Sequence, residues 1–198
     1  MEKITFTTAK TREDIAKIIE LQRKNQIRNL DEATMKSEGF VTFEYEIEPL
    51  FAMNQSHPSV VAWAEDGRLA GYCISACSAD RGYFEVLDRT YDYFEALEFC
   101  GKKLSDQPMM LTGQICVAEG FRGLCVFEGL YAKFQAIWSP GFEFCVTEIS
   151  KKNTRSLRAH ERIGFEVFHE FSDEILNETW VVVGWDWRKV PLKSSKID

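Results

Sequence analysis

The largely apolar run from Met109 to Val117 limits the fold more than any other segment of the chain. It follows Pro108 and reads as a buried strand. A short turn carrying Arg122 and Gly123 comes next. Beyond it Val126, Phe127, Leu130, Tyr131, Phe134 and Ile137 recur at the spacing that lays one helical face against a sheet. A strand feeding directly into such a helix calls for a layered arrangement of sheet and helices.

The flanking segments extend this pattern. Ile4 and Phe6 alternate with polar residues, and Thr11 with Asp14 resembles a helix-opening pair ahead of Ile15, Ile18 and Ile19. Leu30 to Glu38 is helical in character. The aromatic and acidic segment Phe40 to Phe51 has no clear periodicity; it is either a substrate wall or a packed connection. Val60 to Trp63, Asp66-Gly67 and Leu69 to Ala76 form the pattern of a β-hairpin. Residues 78 to 108 hold a weak helical pattern around Tyr91, Phe94, Leu97 and Leu104. Phe142 to Ile149 predicts a buried strand, Asn153 to Ile163 a helix stopped by Gly164, and Phe165 to Phe171 and Thr179 to Trp187 a closing strand pair. The expectation is one domain over residues 1–198, with 189–198 as a loose tail. Its architecture is α/β in the mixed sense: a central sheet with helices on its faces.

Composition excludes several classes of function. The formal charge is −7, from 31 acidic and 24 basic residues, and argues against an extended nucleic-acid footprint. No apolar run approaches the roughly 20 residues needed to span a bilayer, and the start of the chain lacks a signal-peptide pattern. A soluble, cytoplasmic protein without membrane partners is expected. The six cysteines lie mostly in apolar segments and predict free thiols. No Cys-x-x-Cys pair occurs, and the three histidines do not flank the cysteines at zinc-site spacing, so no metal is expected. Cys73 and Cys77 share a strand face and read as core packing.

Two stretches carry chemistry. The first, Gln114 to Tyr131, is a strand, a Gly- and Arg-containing turn and a helix start, which together offer unpaired N–H groups and a helix dipole to an anion such as a pyrophosphate. In the second, Glu148 to Phe165, Asn153 and His160 stand seven residues apart on one helix face. Asn153 also suits a helix N-cap, and His160 suits a buried, hydrogen-bonded position.

Taken together, the stretches resemble the two signature blocks of the GCN5-related N-acetyltransferase (GNAT) superfamily. Val117, Phe121, Arg122, Gly123 and Leu130 match the first block; Glu148, Ile149, Asn153, Ser156, Gly164 and Phe165 match the second. Cys125 and Phe127 replace the two later glycines of the first block, and His160 stands where many members carry tyrosine.

The resemblance implies a single domain with a mixed, mostly antiparallel sheet flanked by helices, and an acetyl-CoA-dependent transfer to an amine by direct attack on the thioester. It implies that Ile115, Cys116 and Val117 contact the pantetheine arm, that Arg122, Gly123, Leu124, Cys125, Val126 and Phe127 face the pyrophosphate, and that Asn153 lies near the cofactor arm. His160 is then the candidate proton donor to the departing thiolate. Glu148 reads as a structural carboxylate in preference to a base. The acceptor, a small-molecule or peptide amine, would be held by residues 25–58 and 78–108, and a homodimer is left open. The alternative is a non-catalytic acyl-CoA-binding sensor of the same fold.

Overall fold

The computed structural model describes residues 3–174 and 177–189. The chain begins with β1 (Ile4–Thr8), α1 (Arg12–Lys24), α2 (Glu32–Glu38), α3 (Ile47–Asn54), β2 (Val60–Ala64), β3 (Leu69–Ala76) and α4 (Glu85–Glu95). It continues with β4 (Glu98–Phe99), β5 (Lys102–Lys103), β6 (Met109–Val117), α5 (Val126–Trp138), β7 (Phe144–Ser150), α6 (Thr154–Ile163), β8 (Glu166–Asp173) and β9 (Glu178–Asp186). The tail expected at 189–198 lies, from residue 190 onward, outside the described residues.

Seven strands form one sheet in the order β1-β2-β3-β6-β7-β9-β8, while β4 and β5 make a separate small hairpin. Every neighbouring pair in the large sheet is antiparallel except β6 with β7. This is the mixed, mostly antiparallel sheet that the sequence implied. The sheet buries both faces. On one side α1, α3 and α4 cover a core that includes Ile15, Ile18, Leu50, Tyr72, Tyr91 and Phe94. On the other, α5 and α6 cover Val60, Cys73, Leu130, Tyr131, Phe134 and Trp185. Helix α5 lies so close to β1 that a Cβ on Gly129 would come within 2.1 Å of the Phe6 ring.

Local chemistry sets the boundaries. Thr11 caps α1 through a reciprocal box: Asp14 N–H donates to Thr11 Oγ1 at 3.1 Å, and Thr11 N–H donates to Asp14 Oδ2 at 2.9 Å. Asn153 caps α6, and Gly164 ends it in the left-handed region at φ 112°. Two elements depart from the sequence pattern. Helix α3 occupies part of the aromatic segment left unassigned above, and the β4–β5 hairpin interrupts the stretch between α4 and β6.

Candidate active site at a fork in the sheet

The parallel pairing of β6 with β7 covers only Met109–Leu111 against Phe144–Val146. Beyond it β6 follows β3 as far as Val117, and β7 follows β9 as far as Ser150. The two strands therefore splay, and the β7-facing edge of β6 is open from about Gly113 to Val117. A bulge lies at the root of the fork, because the β3 register passes from Ile74↔Gln114 to Ser75↔Thr112 and leaves Gly113 unpaired. Gly113 allows the Tyr45 hydroxyl to sit over the bulge; a Cβ there would approach it to 2.5 Å.

Two cavities meet at the fork. The first, about 460 Å³, is lined by Ile115, Cys116 and Val117 of β6, by Arg122, Gly123, Cys125, Val126 and Phe127 at the start of α5, and by Asn153 and Arg155 of α6. All the cofactor residues expected from the sequence line it except Leu124, which is exposed. The cavity is strongly basic, with Lys36, Arg122, Arg155, Arg158 and Arg162 against Glu38 and Glu128. The first turn of α5 leaves its N–H groups without intrahelical acceptors, as a helix start must, and the dipole adds to the positive field. Cys125, the cap residue of α5, takes a left-handed conformation at φ 60°. That backbone explains why glycine suits the position, and cysteine holds it at a cost of about 1 kcal/mol. Phe127 turns its ring edge-on to Tyr131 and His160, with centroids 5.2 and 5.1 Å away.

Arg122 is already engaged. Its guanidinium donates to Glu38 at 2.9 Å, to Asn25 Oδ1 at 2.8 Å and to the Val117 carbonyl at 3.3 Å. Arg155 donates to the Ser37 carbonyl at 2.7 Å and lies 3.9 Å from the same Glu38. The end of α2 thus places a carboxylate among the cationic groups of this cavity. Asn153 performs its capping role, accepting from Ser156 N–H at 3.2 Å, and donates to the Phe40 carbonyl at 2.9 Å.

The second cavity, about 430 Å³, lies on the other side of the fork. Phe43, Tyr45, Tyr93, Phe171 and Trp180 supply aromatic walls, with Arg89, Thr90, Glu148 and Asp173 among the polar groups. Both acceptor segments expected from the sequence, 25–58 and 78–108, contribute to it. The cavities share Phe40, Val41, Ile115, Asn153 and Ser156. Glu148 projects from the splayed part of β7. Burial raises its carboxyl to about 7; the Thr90 hydroxyl at 3.3 Å and Arg89 oppose the shift, and Asp173 adds to it. Glu148, which the sequence reads as a structural carboxylate, thus lines a cavity with its pKa raised to about 7.

His160 is buried, at 2% exposure, among Phe127, Tyr131 and Phe165. Its Nδ1–H donates to the Ser156 carbonyl at 2.8 Å, and Nε2 accepts from the Tyr131 hydroxyl at 2.7 Å. Burial lowers its pKa to about 4, with the Ser156 hydrogen bond opposing. The ring is neutral at pH 7 with both nitrogens engaged. That state runs against the imidazolium donor expected from the sequence.

No protein-family model and no curated protein matches the sequence. Solved structures do match the fold. The ribosomal-protein-S18-alanine N-acetyltransferase from Escherichia coli superposes with a TM-score of 0.59 at 11% identity, covering 98% of this chain and 99% of that one. A chain of the NatC complex, solved with Gag peptide and CoA, gives 0.62 at 11% identity over 93% and 98%. The yncA protein of Salmonella typhimurium, solved with its cofactor acetyl-CoA, gives 0.58 at 15% over 98% of both chains. Many of the neighbours are GNAT-family N-acetyltransferases, and this chain has their fold. Among the described residues no helix is long and apolar enough to cross a membrane.

Proposed function

We propose that this protein transfers an acetyl group from acetyl-CoA to an amine, with Glu148 as the base. The observation that carries this reading is the position of Glu148, whose carboxyl is held near neutrality in a cavity that meets a second, basic cavity at an open strand edge. In this reading the edge of β6 at Ile115, Cys116 and Val117 receives the pantetheine arm. The N–H groups from Gly123 to Phe127, with Arg155, Arg158 and Arg162, hold the phosphates.

An alkylammonium must lose a proton before its nitrogen can attack a thioester. A carboxylate with a pKa near 7 is half ionised at neutral pH and is a stronger base than an ordinary glutamate. Glu148 takes that proton. The departing thiolate, whose conjugate acid lies near 8.5, leaves without a dedicated donor. His160, which also lines the second cavity, is assigned a positioning role: it holds Tyr131 and the first turns of α6. The aromatic walls and the Glu148–Asp173 pair favour a cationic amine carried on an apolar body.

The test is release of CoA thiol from acetyl-CoA across a panel of small amines and peptides, with the wild-type chain and Glu148→Gln. Turnover with at least one amine, lost in the variant, supports the proposal; equal turnover by the two proteins removes Glu148 from it. The second reading, an acyl-CoA sensor, draws on Glu38 lying within the cofactor cavity. CoA binding without transfer across the panel would favour it.

A further inference from the structure

Cys77, Asp80 and His57 converge at a place that neither cavity reaches. Cys77 directly follows β3, and Asp80 closes the one-turn 3₁₀ helix Ser78–Asp80. The two are three residues apart across a tight turn, a spacing at which short metal-binding turns bring two side chains to one point. His57 enters from the connection between α3 and β2, where its N–H donates to the Met53 carbonyl at 3.1 Å. Its Nδ1 lies 2.8 Å from Asp80 Oδ1 and 3.8 Å from Cys77 Sγ, and its Nε2 lies 3.3 Å from that sulfur. One donor atom from each residue falls within 4.8 Å of the others.

We propose that this cluster binds one Zn²⁺ ion, with Cys77 thiolate, His57 imidazole and Asp80 carboxylate as ligands. The donor set of sulfur, nitrogen and oxygen suits zinc, a borderline-soft ion that accepts all three. Zinc bond lengths of about 2.3 Å to sulfur and about 2.0–2.1 Å to nitrogen and oxygen put tetrahedral ligand atoms about 3.3–3.6 Å apart. With Nδ1 as the imidazole ligand, the sulfur–nitrogen pair at 3.8 Å needs to close by about 0.2 Å and the nitrogen–oxygen pair at 2.8 Å to open by about half an ångström.

The surroundings fit a metal better than a reactive thiol. Cys77 is 5% exposed and lines neither of the two cavities. The His57 side chain, at 16% exposure, gives an ion a way in. Asp80 is oriented from behind, since Cys77 N–H donates to its Oδ2 at 2.8 Å. The Tyr91 hydroxyl is buried without a hydrogen-bond partner, and the charges of Cys77 and Asp80 act on it. A solvent molecule would complete the fourth position. The ion would tie the α3–β2 connection to the β3–α4 connection, and so brace the segment leading into the helix that carries Arg89, Thr90 and Tyr93 into the second cavity.

Co²⁺ titration tests this, because a thiolate ligand gives cobalt a near-ultraviolet charge-transfer band and four-coordination gives strong visible bands. The experiment uses the metal-free chain of residues 1–198 carrying Cys100→Ser and Cys125→Ser, which removes the two exposed thiols. One equivalent of Co²⁺ should produce both features, and one equivalent of Zn²⁺ should abolish them and raise Tm. Cys77→Ser should eliminate the charge-transfer band, and Asp80→Asn, which preserves shape, should weaken binding at least tenfold with the circular dichroism unchanged. Absence of a saturable band, or a band that survives Cys77→Ser, would overturn the proposal.

Discussion

Acidification should unfold this protein partly through His160, and the size of the effect follows from its surroundings. The folded chain holds the imidazole near a pKa of 4, against 6.5 for the free side chain. The unfolded chain therefore takes up a proton that the folded chain refuses. Stability from this source is complete above about pH 6.5 and is lost as pH falls through about 4. The gap is worth about 3 kcal/mol at 1.36 kcal/mol per pKa unit. Glu148 acts in the opposite sense: its folded carboxyl protonates near 7 and its unfolded one near 4.5, so its contribution is full below 4.5 and lost as pH rises through 7. Comparison with a variant isolates the histidine. Urea denaturation of the wild type and of His160→Phe, from pH 7.5 to pH 4, should show their stability difference changing by about 3 kcal/mol, with the wild type losing its advantage as pH falls. Parallel curves would refute the neutral, doubly hydrogen-bonded imidazole, and with it the reason for denying His160 the role of donor.

Other expectations follow from single residues. Glu148→Gln should lower kcat by about 10²–10⁴, and the wild-type rate should rise with pH through about 7, a limb the variant lacks in a pH–rate profile. Cys125→Gly relieves a left-handed cysteine and should stabilise the fold by about 0.5–1 kcal/mol, read by urea denaturation, while tightening CoA binding by calorimetry. Glu38→Gln frees Arg122 from a half-buried ion pair and should tighten CoA binding about two- to fivefold in the same assay. Gly113→Ala drives a Cβ against the Tyr45 hydroxyl and should cost about 1–3 kcal/mol, seen as a lower urea midpoint.

The elements that the sequence revealed are those whose signals are local. The Thr11–Asp14 box, the run from Met109 to Val117, the apolar stripe of α5 and the Asn153 and Gly164 caps each depend on a few neighbouring residues, and each reappears in the structure. Helix α3 did not announce itself, since Ile47, Leu50, Phe51, Ala52 and Met53 leave little polar periodicity in eight residues and Pro49 sits in its first turn, where proline is tolerated. The β4–β5 hairpin has two residues per strand, too few for alternation to register.

The site divides in the same way. The residues that line the basic cavity were legible as neighbours because strand, turn and helix are contiguous. The states of Glu148 and His160 were not, because Thr90 lies 58 residues from Glu148 and Tyr131 lies 29 from His160, and only folding brings them together. The Glu38–Arg122 contact spans 84 residues, and the convergence of His57 on Cys77 spans 20. Spacing rules that search for neighbouring ligands pass over such a cluster.

The central claim is that the fork between β6 and β7 receives the pantetheine arm of acetyl-CoA. It is tested most directly by the thermal shift produced by acetyl-CoA and free CoA, set against an adenosine 3′,5′-bisphosphate control that keeps the phosphates and lacks the arm. The account predicts that both thioester and thiol raise Tm well beyond the nucleotide. A shift reproduced in full by the nucleotide, or no shift with any of the three, would contradict it.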